Sequence, residues 1–409
     1  MKKFLALLLS LVMALSLFAC GKKDDDNKDK AKVKVGFITL HDENSTYDLN
    51  FINGAKEAIA NLGLTDADYI MKNNVPEGQE CLVAAEDLVD QGCNIIFADS
   101  FGHEPYMIEA AQKYPDVQFC HSTGTRAHTE GLANYHNAFA SIYEGRYLAG
   151  IAAGMKLNEM IENGTEINGV KVTADNAKIG YVGAFTYAEV ISGYTSFFLG
   201  ARSVCPSVTM DVTFTGSWYD EALEKEGAQK LIAGGCNLIS QHADSLGAPT
   251  ACENAGVPNV SYNGSTQKDC PNTFIVSSRI NWAPYYEYAI QAVIDGKTID
   301  TDWTGNLKTN SVVLTDLNDA VAAKGTAEAI EAAKAKLESG ELHVFDCSTF
   351  TVNGEHLTSY LADVDTDAAY EHETEVITDG YFAESAKRSA PYFDLAIDGI
   401  NRLDENFGG

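Results

Sequence analysis

Short apolar runs alternate with amphipathic, helix-like segments along most of the chain, and one such passage occurs twice. Gly92-Cys93-Asn94-Ile95-Ile96-Phe97-Ala98-Asp99-Ser100 is echoed by Gly235-Cys236-Asn237-Leu238-Ile239-Ser240-Gln241-His242-Ala243-Asp244-Ser245. Each copy follows a helix-like run (81–91 and 228–234), crosses a short apolar strand and ends in Ala-Asp-Ser. A strand that ends in polar residues between two helices is the βαβ signature of a parallel sheet, and ligands of such sheets sit outside the strands' carboxyl ends. Two copies in matching context predict two similar α/β lobes, each presenting an Asp-Ser pair to a shared cleft. Taken singly, either Ala-Asp-Ser is also ordinary helix-capping chemistry.

The same alternation extends outward from the repeat. Residues 33–40 read as a buried strand and 41–50 as a polar loop at its carboxyl end. The next helix carries Phe51, Ala55, Ala58, Ile59 and Leu62 on one face, stops at Gly63, and has Asp48 or Asn50 as its cap. Tyr47 is the one aromatic in that loop and has no apolar company, which points to ligand contact. Residues 138–155, rich in Ala and Gly, predict a close-packed helix, and 178–184 opens the second lobe with a strand followed by Phe185-Thr186-Tyr187. Strand 212–214 leads to Ser217-Trp218-Tyr219-Asp220, which places Trp218 where a cleft residue would sit, although a Trp beside a Tyr can also cover a helix end. Strands are also expected at 258–262, followed by Asn263, and at 274–278, followed by Arg279, Asn281 and Trp282. A helix is expected from Pro284, an amphipathic one over 316–340, strand-like residues at 349–352 and a helical end from Pro391.

Composition narrows the chemistry. A net charge of -29 repels phosphates, which argues against nucleic acid and anionic nucleotides as ligands. Of nine cysteines, Cys93 and Cys236 hold the same repeat position and suit small buried thiols, while Cys252 and Cys270 flank one loop and are candidates for pairing. His103, His121, His128 and His136 lack the i, i+4 spacing of a metal-binding helix, so no metal site is expected. Asp363-Val364-Asp365-Thr366-Asp367 resembles the start of a calcium loop, but Ala368 and Thr374 stand where Gly and Glu are required, which favours a solvated acidic turn. Phosphate-loop, dinucleotide-binding and nucleophile-elbow motifs are all missing from the sequence. The candidate cleft residues (Tyr, Phe, Trp, Asp, Asn and Ser) suit holding a flat heterocycle better than cutting a bond, and no cofactor is expected.

The first 20 residues read as a targeting segment. Lys2 and Lys3 precede an apolar run at 4–18, and Leu17-Phe18-Ala19-Cys20-Gly21 resembles a bacterial lipobox, with Cys20 as the lipidated residue. Residues 21–32, alternating Lys and Asp, read as a solvated tether.

Several stretches together resemble the basic membrane protein family of ABC-transporter substrate-binding lipoproteins, closest to its purine-binding branch. They are Ser100-Phe101-Gly102, Ile142-Tyr143-Glu144-Gly145-Arg146-Tyr147, Leu199-Gly200-Ala201-Arg202-Ser203, Ser217-Trp218-Tyr219-Asp220, Gln241-His242-Ala243-Asp244-Ser245 and Asn281-Trp282-Ala283-Pro284-Tyr285-Tyr286. The resemblance implies a type I periplasmic-binding fold, two Rossmann-like lobes with parallel sheets joined by a multi-strand hinge. It places 33–137 and 272–308 in the N-terminal lobe and 138–271 and 309–409 in the C-terminal lobe. It also implies a purine base or nucleoside as ligand, an ABC permease and its ATPase as partners, and an extracytoplasmic, lipid-anchored location. By the same resemblance Tyr47 is a base-stacking ring, Phe185 the opposing ring, Asp244 the carboxylate that reads the base, and Trp218 a cleft wall. Asp48, Ser100, Phe101 and Trp282 complete the expected ligand contacts. Asn263 and Arg279 stand where nucleoside-binding members carry ribose-contacting Asp and Lys, which tilts the expectation toward a free base such as adenine, hypoxanthine or xanthine. A sugar or signalling ligand on the same fold is the alternative. A secreted nucleoside hydrolase would need an Asp cluster for calcium after the first strand, and Leu40-His41-Asp42-Glu43 supplies a poor one.

Overall fold

The computed structural model describes residues 32–365, 369 and 371–408. Cys20 and nearly all of the expected tether lie outside the described residues, as do Thr366, Asp367 and Ala368 of the acidic turn. The apolar runs assemble into two sheets. The first runs edge to edge as Asp302–Gly305, Tyr135–Ala140, Gln118–Ser122, Ile95–Ala98, Val35–Ile38 and Tyr69–Lys72, all parallel. The second runs as Val312–Leu314, Phe274–Ile280, Asn259–Tyr262, Leu238–Gln241, Lys178–Gly183, Thr209–Phe214 and Ile400–Arg402, with Val312–Leu314 antiparallel to its neighbour and the others parallel. In each sheet the lobe's first strand lies between its second and third. The strand order therefore reverses beside it, and a ligand crevice opens at the carboxyl ends there.

The repeated Gly-Cys-Asn explains itself in atomic terms. Gly92 and Gly235 both take left-handed backbone (φ 87° and 90°), ending the helices Gln79–Asp90 and Glu221–Ala233. The following thiols are buried, and their amides close the helix ends: Cys93 N–H donates to Leu88 O at 3.0 Å and Cys236 N–H to Leu231 O at 3.1 Å. Asn94 Oδ1 then accepts from Lys34 N at 3.0 Å, and Asn237 Oδ1 accepts from Lys178 N at 3.0 Å. Each asparagine thus pins the first strand of its own lobe beside the third.

Strand Tyr135–Ala140 ends in the first sheet and helix Ile142–Asn163 packs on the second. That helix approaches Ala188–Val204 so closely that a Cβ on Gly150 would lie 2.0 Å from Phe197 O, which accounts for the small residues of this stretch. The expected return to the first lobe at Asn272 is corrected. Phe274–Ile280 pairs with Asn259–Tyr262 and Val312–Leu314 in the second sheet, and the chain recrosses at Asn281 into helix Ala283–Asp295, which packs on Thr46–Asn61. A third crossing links Gly305 to Val312.

The end of the chain also differs from expectation. The amphipathic helix is Thr326–Ser339, shorter than predicted because Gly325, in left-handed backbone, starts it. The residues from Pro391 are extended, not helical: Phe393, Leu395 and Ile397 are buried at every second position, the period of extended chain, and strand Ile400–Arg402 follows. Residues 349–352 contribute one isolated bridge, Val352 to Glu355. Phe393 stacks on Phe345 at 4.3 Å, and Ser389 donates from its backbone N–H and Oγ to Asp302 Oδ1 at 3.1 and 2.8 Å, so this segment touches both lobes.

Candidate functional site

A small cavity, about 20 Å³, lies between the lobes at the carboxyl ends of both sheets. From the first lobe, Leu40 and His41 follow strand one, Ser100 and Phe101 follow strand three, and Thr123 follows strand four. Tyr47 and Asp48 project from the first turn of helix Thr46–Asn61. The cap of that helix is Ser45, whose Oγ accepts from Asp48 N at 3.2 Å, and not Asp48 or Asn50 as expected. This earlier start swings Tyr47 onto a helix, where its ring packs against Phe51 at 4.8 Å and its Oη donates to Asp99 O at 2.6 Å.

From the second lobe come Glu189, Trp218, His242, Asp244, Tyr262 and Asn263. Asn263 Nδ2 donates to Asp244 Oδ1 at 3.1 Å, and Asp244 N–H donates to Trp218 O at 3.0 Å. The lobes touch here: Thr46 donates from N and Oγ1 to Asp244 O at 3.2 and 3.0 Å, and Asn50 Nδ2 donates to Asn263 O at 2.7 Å. Two wall residues, Thr123 and Asn263, hold φ of 75° and 64°, a strained choice for a β-branched threonine and the kind of strain that concentrates at binding sites.

The two Asp-Ser pairs divide their labour. In the first, Asp99 is buried behind the wall, accepting from Leu40 N at 3.1 Å, while Ser100 faces the cavity and donates from Oγ to Glu77 Oε1 at 2.5 Å. In the second, Asp244 faces the cavity and Ser245 is the structural member, its Oγ accepting from Gly247 N at 3.0 Å.

Burial raises the carboxyls of Asp99 and Asp244 well above the usual carboxylate range, with neighbouring Asp48 adding to both. Burial pushes Asp48 the same way, but hydrogen bonds from the His41 side chain, Ser45 and the His41 amide outweigh it, and Asp48 sits below its ordinary value. Asp48 is therefore an ionised group committed to the loop: it accepts from His41 N at 2.8 Å and from Ser45 Oγ at 2.6 Å.

Tyr47, Asp48, Ser100, Phe101, Trp218, Asp244 and Asn263 are thus brought together, and three expected residues are not. Phe185 lies behind the wall, stacked on Tyr187 at 5.1 Å and edge-on to Trp218 at 5.0 Å. Trp282 is core, 1% exposed and stacked on Phe51 at 4.4 Å. Arg279 does not line the cavity. Sequence reading missed Leu40, His41, Thr123, Glu189, His242 and Tyr262 as wall residues. His242 stood inside the repeated stretch, directly after its strand, and that position was the available signal. Away from the cleft, Cys252 and Cys270 are free buried thiols, and carboxylate oxygens of Asp363, Asp365 and Glu373 approach within 4.8 Å of one another. Among the described residues no helix is long and apolar enough to cross a membrane.

The family described as "ABC transporter substrate-binding protein PnrA-like" (Bmp) matches residues 35–344, so the segment that bridges both lobes near the C-terminus lies beyond the matched span. A purine-binding protein of Brucella abortus is 31% identical over 320 residues, covering 77% of this chain and 83% of its own. A protein of Haloferax volcanii, provisionally named an ABC transporter glucose-binding protein, is 31% identical over 63% of this chain and 60% of its own. Among solved structures, an ABC transporter solute-binding protein of Aeropyrum pernix superposes with a TM-score of 0.61 at 17% identity, covering 82% of this chain and 95% of that one, a likeness of fold.

Proposed function

The chain belongs to the Bmp family of extracytoplasmic ABC-transporter substrate-binding proteins, and on that premise we propose that it captures a purine between its lobes and delivers it to a permease. The base lies between the rings of Tyr47 and Trp218, one from each lobe, and the Asp244–Asn263 pair reads its edge. Trp218 takes the part expected of Phe185. The observation that carries this reading is the wall itself: the rings of Tyr47, Phe101, Trp218 and Tyr262 with acidic and amide groups at the strand ends, and neither Lys nor Arg among its residues. Phosphate-bearing ligands find no counter-charge there. Stacking contributes about 1 to 3 kcal/mol per base, and hydrogen bonds between the Asp244 carboxyl and the edge of the base add to it.

With Arg279 absent from the wall and Asn263 in place of a carboxylate, ribose has weak anchors, which supports a free base over a nucleoside. No bond is broken. Closure of the lobes buries the base, the closed form docks on the permease, and the permease's ATPase drives transport. Cys20 carries the lipid that holds the protein at the outer face of the cell membrane.

A thermal-shift panel of purines, nucleosides, pyrimidines and sugars on the full-length protein tests this. A ligand at a hundred times its dissociation constant adds about 2.7 kcal/mol of stability. A shift with purine bases and none with ribose or glucose is expected. A shift with sugars alone would overturn the ligand and leave the fold standing.

A further inference from the structure

Behind the second-lobe wall runs a line of buried polar groups that the reading above does not use. Arg146, 0% exposed, donates from Nη2 to Tyr181 Oη and to Ser240 Oγ, both at 3.0 Å, and from Nη1 to Ser261 O at 3.3 Å. Its guanidinium carbon sits 4.8 to 5.4 Å from the ring centres of Phe197, Tyr262 and Tyr181. Among the described residues none of its hydrogen bonds goes to a carboxylate. Because Tyr181 Oη accepts from an arginine that cannot lose its proton, its own O–H is directed to His242 Nδ1 at 3.4 Å. His242 then carries its proton on Nε2 and donates it to Glu189 Oε1 at 3.3 Å. Burial holds the imidazole below its ordinary value, and it stays neutral. The line therefore runs one way, from a buried positive charge to the carboxylate of Glu189 at the cavity wall.

We propose that Glu189, held in place through His242, Tyr181 and Arg146, is a specificity-determining acceptor, and that the protein prefers purines bearing an exocyclic amino group over oxopurines. This rests on the purine reading of the same cleft. One oxygen of Glu189 is engaged by His242 and one of Asp244 by Asn263, so each carboxyl keeps an oxygen for the ligand. An amino group on the ring donates to Glu189. Buried Asp244, held toward its neutral form, donates an O–H to an adjacent ring nitrogen. That pairing matches the neighbouring amino group and ring nitrogen of adenine. A ring oxo group in the same place sets acceptor against acceptor, with no wall Lys or Arg to relieve it.

The test measures dissociation constants for adenine, hypoxanthine and xanthine on the full-length protein and on Glu189→Gln, with melting of the ligand-free proteins alongside. The expected wild-type preference for adenine over hypoxanthine is about tenfold, the loss typical of an unmatched charged hydrogen bond. In Glu189→Gln that ratio should fall to near or below one, since the new amide can donate to an oxo group, and the ligand-free melting temperature should hold. Should the melting temperature drop, Tyr181→Phe, which breaks the line away from the wall, should lower the ratio by a smaller factor. A wild type that prefers oxopurines, or a ratio unchanged by the substitutions, would overturn the proposal. A wild type that binds no purine at all is a separate outcome: the function itself then fails, and this inference with it.

Discussion

Asn50 on the first lobe donates its side-chain amide to the backbone carbonyl of Asn263 on the second at 2.7 Å, across the mouth of the cleft. Both residues are buried, and the bond can exist only when the lobes are together. With the Thr46–Asp244 contact beside it, closure is written into the same strand ends that form the wall.

Removing that bond should cost affinity without touching the ligand. Asn50→Ala is expected to weaken purine binding by about 0.5 to 1.5 kcal/mol, the net value of one hydrogen bond, read by titration calorimetry. An unchanged dissociation constant would mean that closure does not depend on this contact.

Tyr47 separates stacking from tethering. Tyr47→Ala should lose about 1 to 3 kcal/mol of purine affinity. Tyr47→Phe, which keeps the ring and loses the bond to Asp99 O, should keep most of the affinity. Equal losses in both variants would show that the hydroxyl, not the ring, is what matters.

The two tryptophans flanking the site should behave oppositely. Trp282, buried on Phe51, should destabilise the protein by about 3 to 5 kcal/mol when cut to Ala. Trp218→Ala should weaken ligand binding and spare most of the stability. Chemical denaturation and calorimetry on both variants check this, and a stable Trp282→Ala protein with lost binding would return that ring to the site.

The pH dependence follows from a buried acid in the C-terminal segment. Burial pushes Glu384 up to about 8, against the pull of Ser192 and Arg388. A carboxyl raised on folding is protonated in the folded state while the unfolded chain has already lost its proton. Its contribution is fully present below the unfolded value of about 4.5 and is lost as pH rises to about 8. Stability should therefore fall across that window. Glu384→Gln should flatten the slope and leave stability near pH 4 little changed. An identical slope in wild type and variant would contradict the assignment.

Much of this was legible in the chain, and the illegible parts share a cause. The Gly-Cys-Asn repeat marked both lobes because each of its residues does one local job: a left-handed helix end, a buried thiol, a pin on the neighbouring strand. Trp218 and Asp244 could be read because each falls just past a strand, and Tyr47 because it is the one aromatic in a polar stretch. Phe185 and Trp218 could not be ranked, since which of two adjacent rings meets the cavity depends on how they pack with Tyr187 in one three-ring cluster. Trp282 also follows a strand, but it enters the first lobe under helix Thr46–Asn61, where Gly54 leaves room for it. Its fate was set by a chain crossing that lies nine residues (281 − 272) later than the sequence suggested. Glu189 was hidden because its significance is a line of contacts through His242 back to Arg146, which no local pattern encodes.

A crystal structure of the protein bound to adenine decides whether the cleft between the lobes is a purine site. The base is expected between Tyr47 and Trp218, with ring centres about 4.5 to 7 Å from each and its edge bonded to Asp244. A base bound outside the cleft, or inside it against neither ring, would contradict the account.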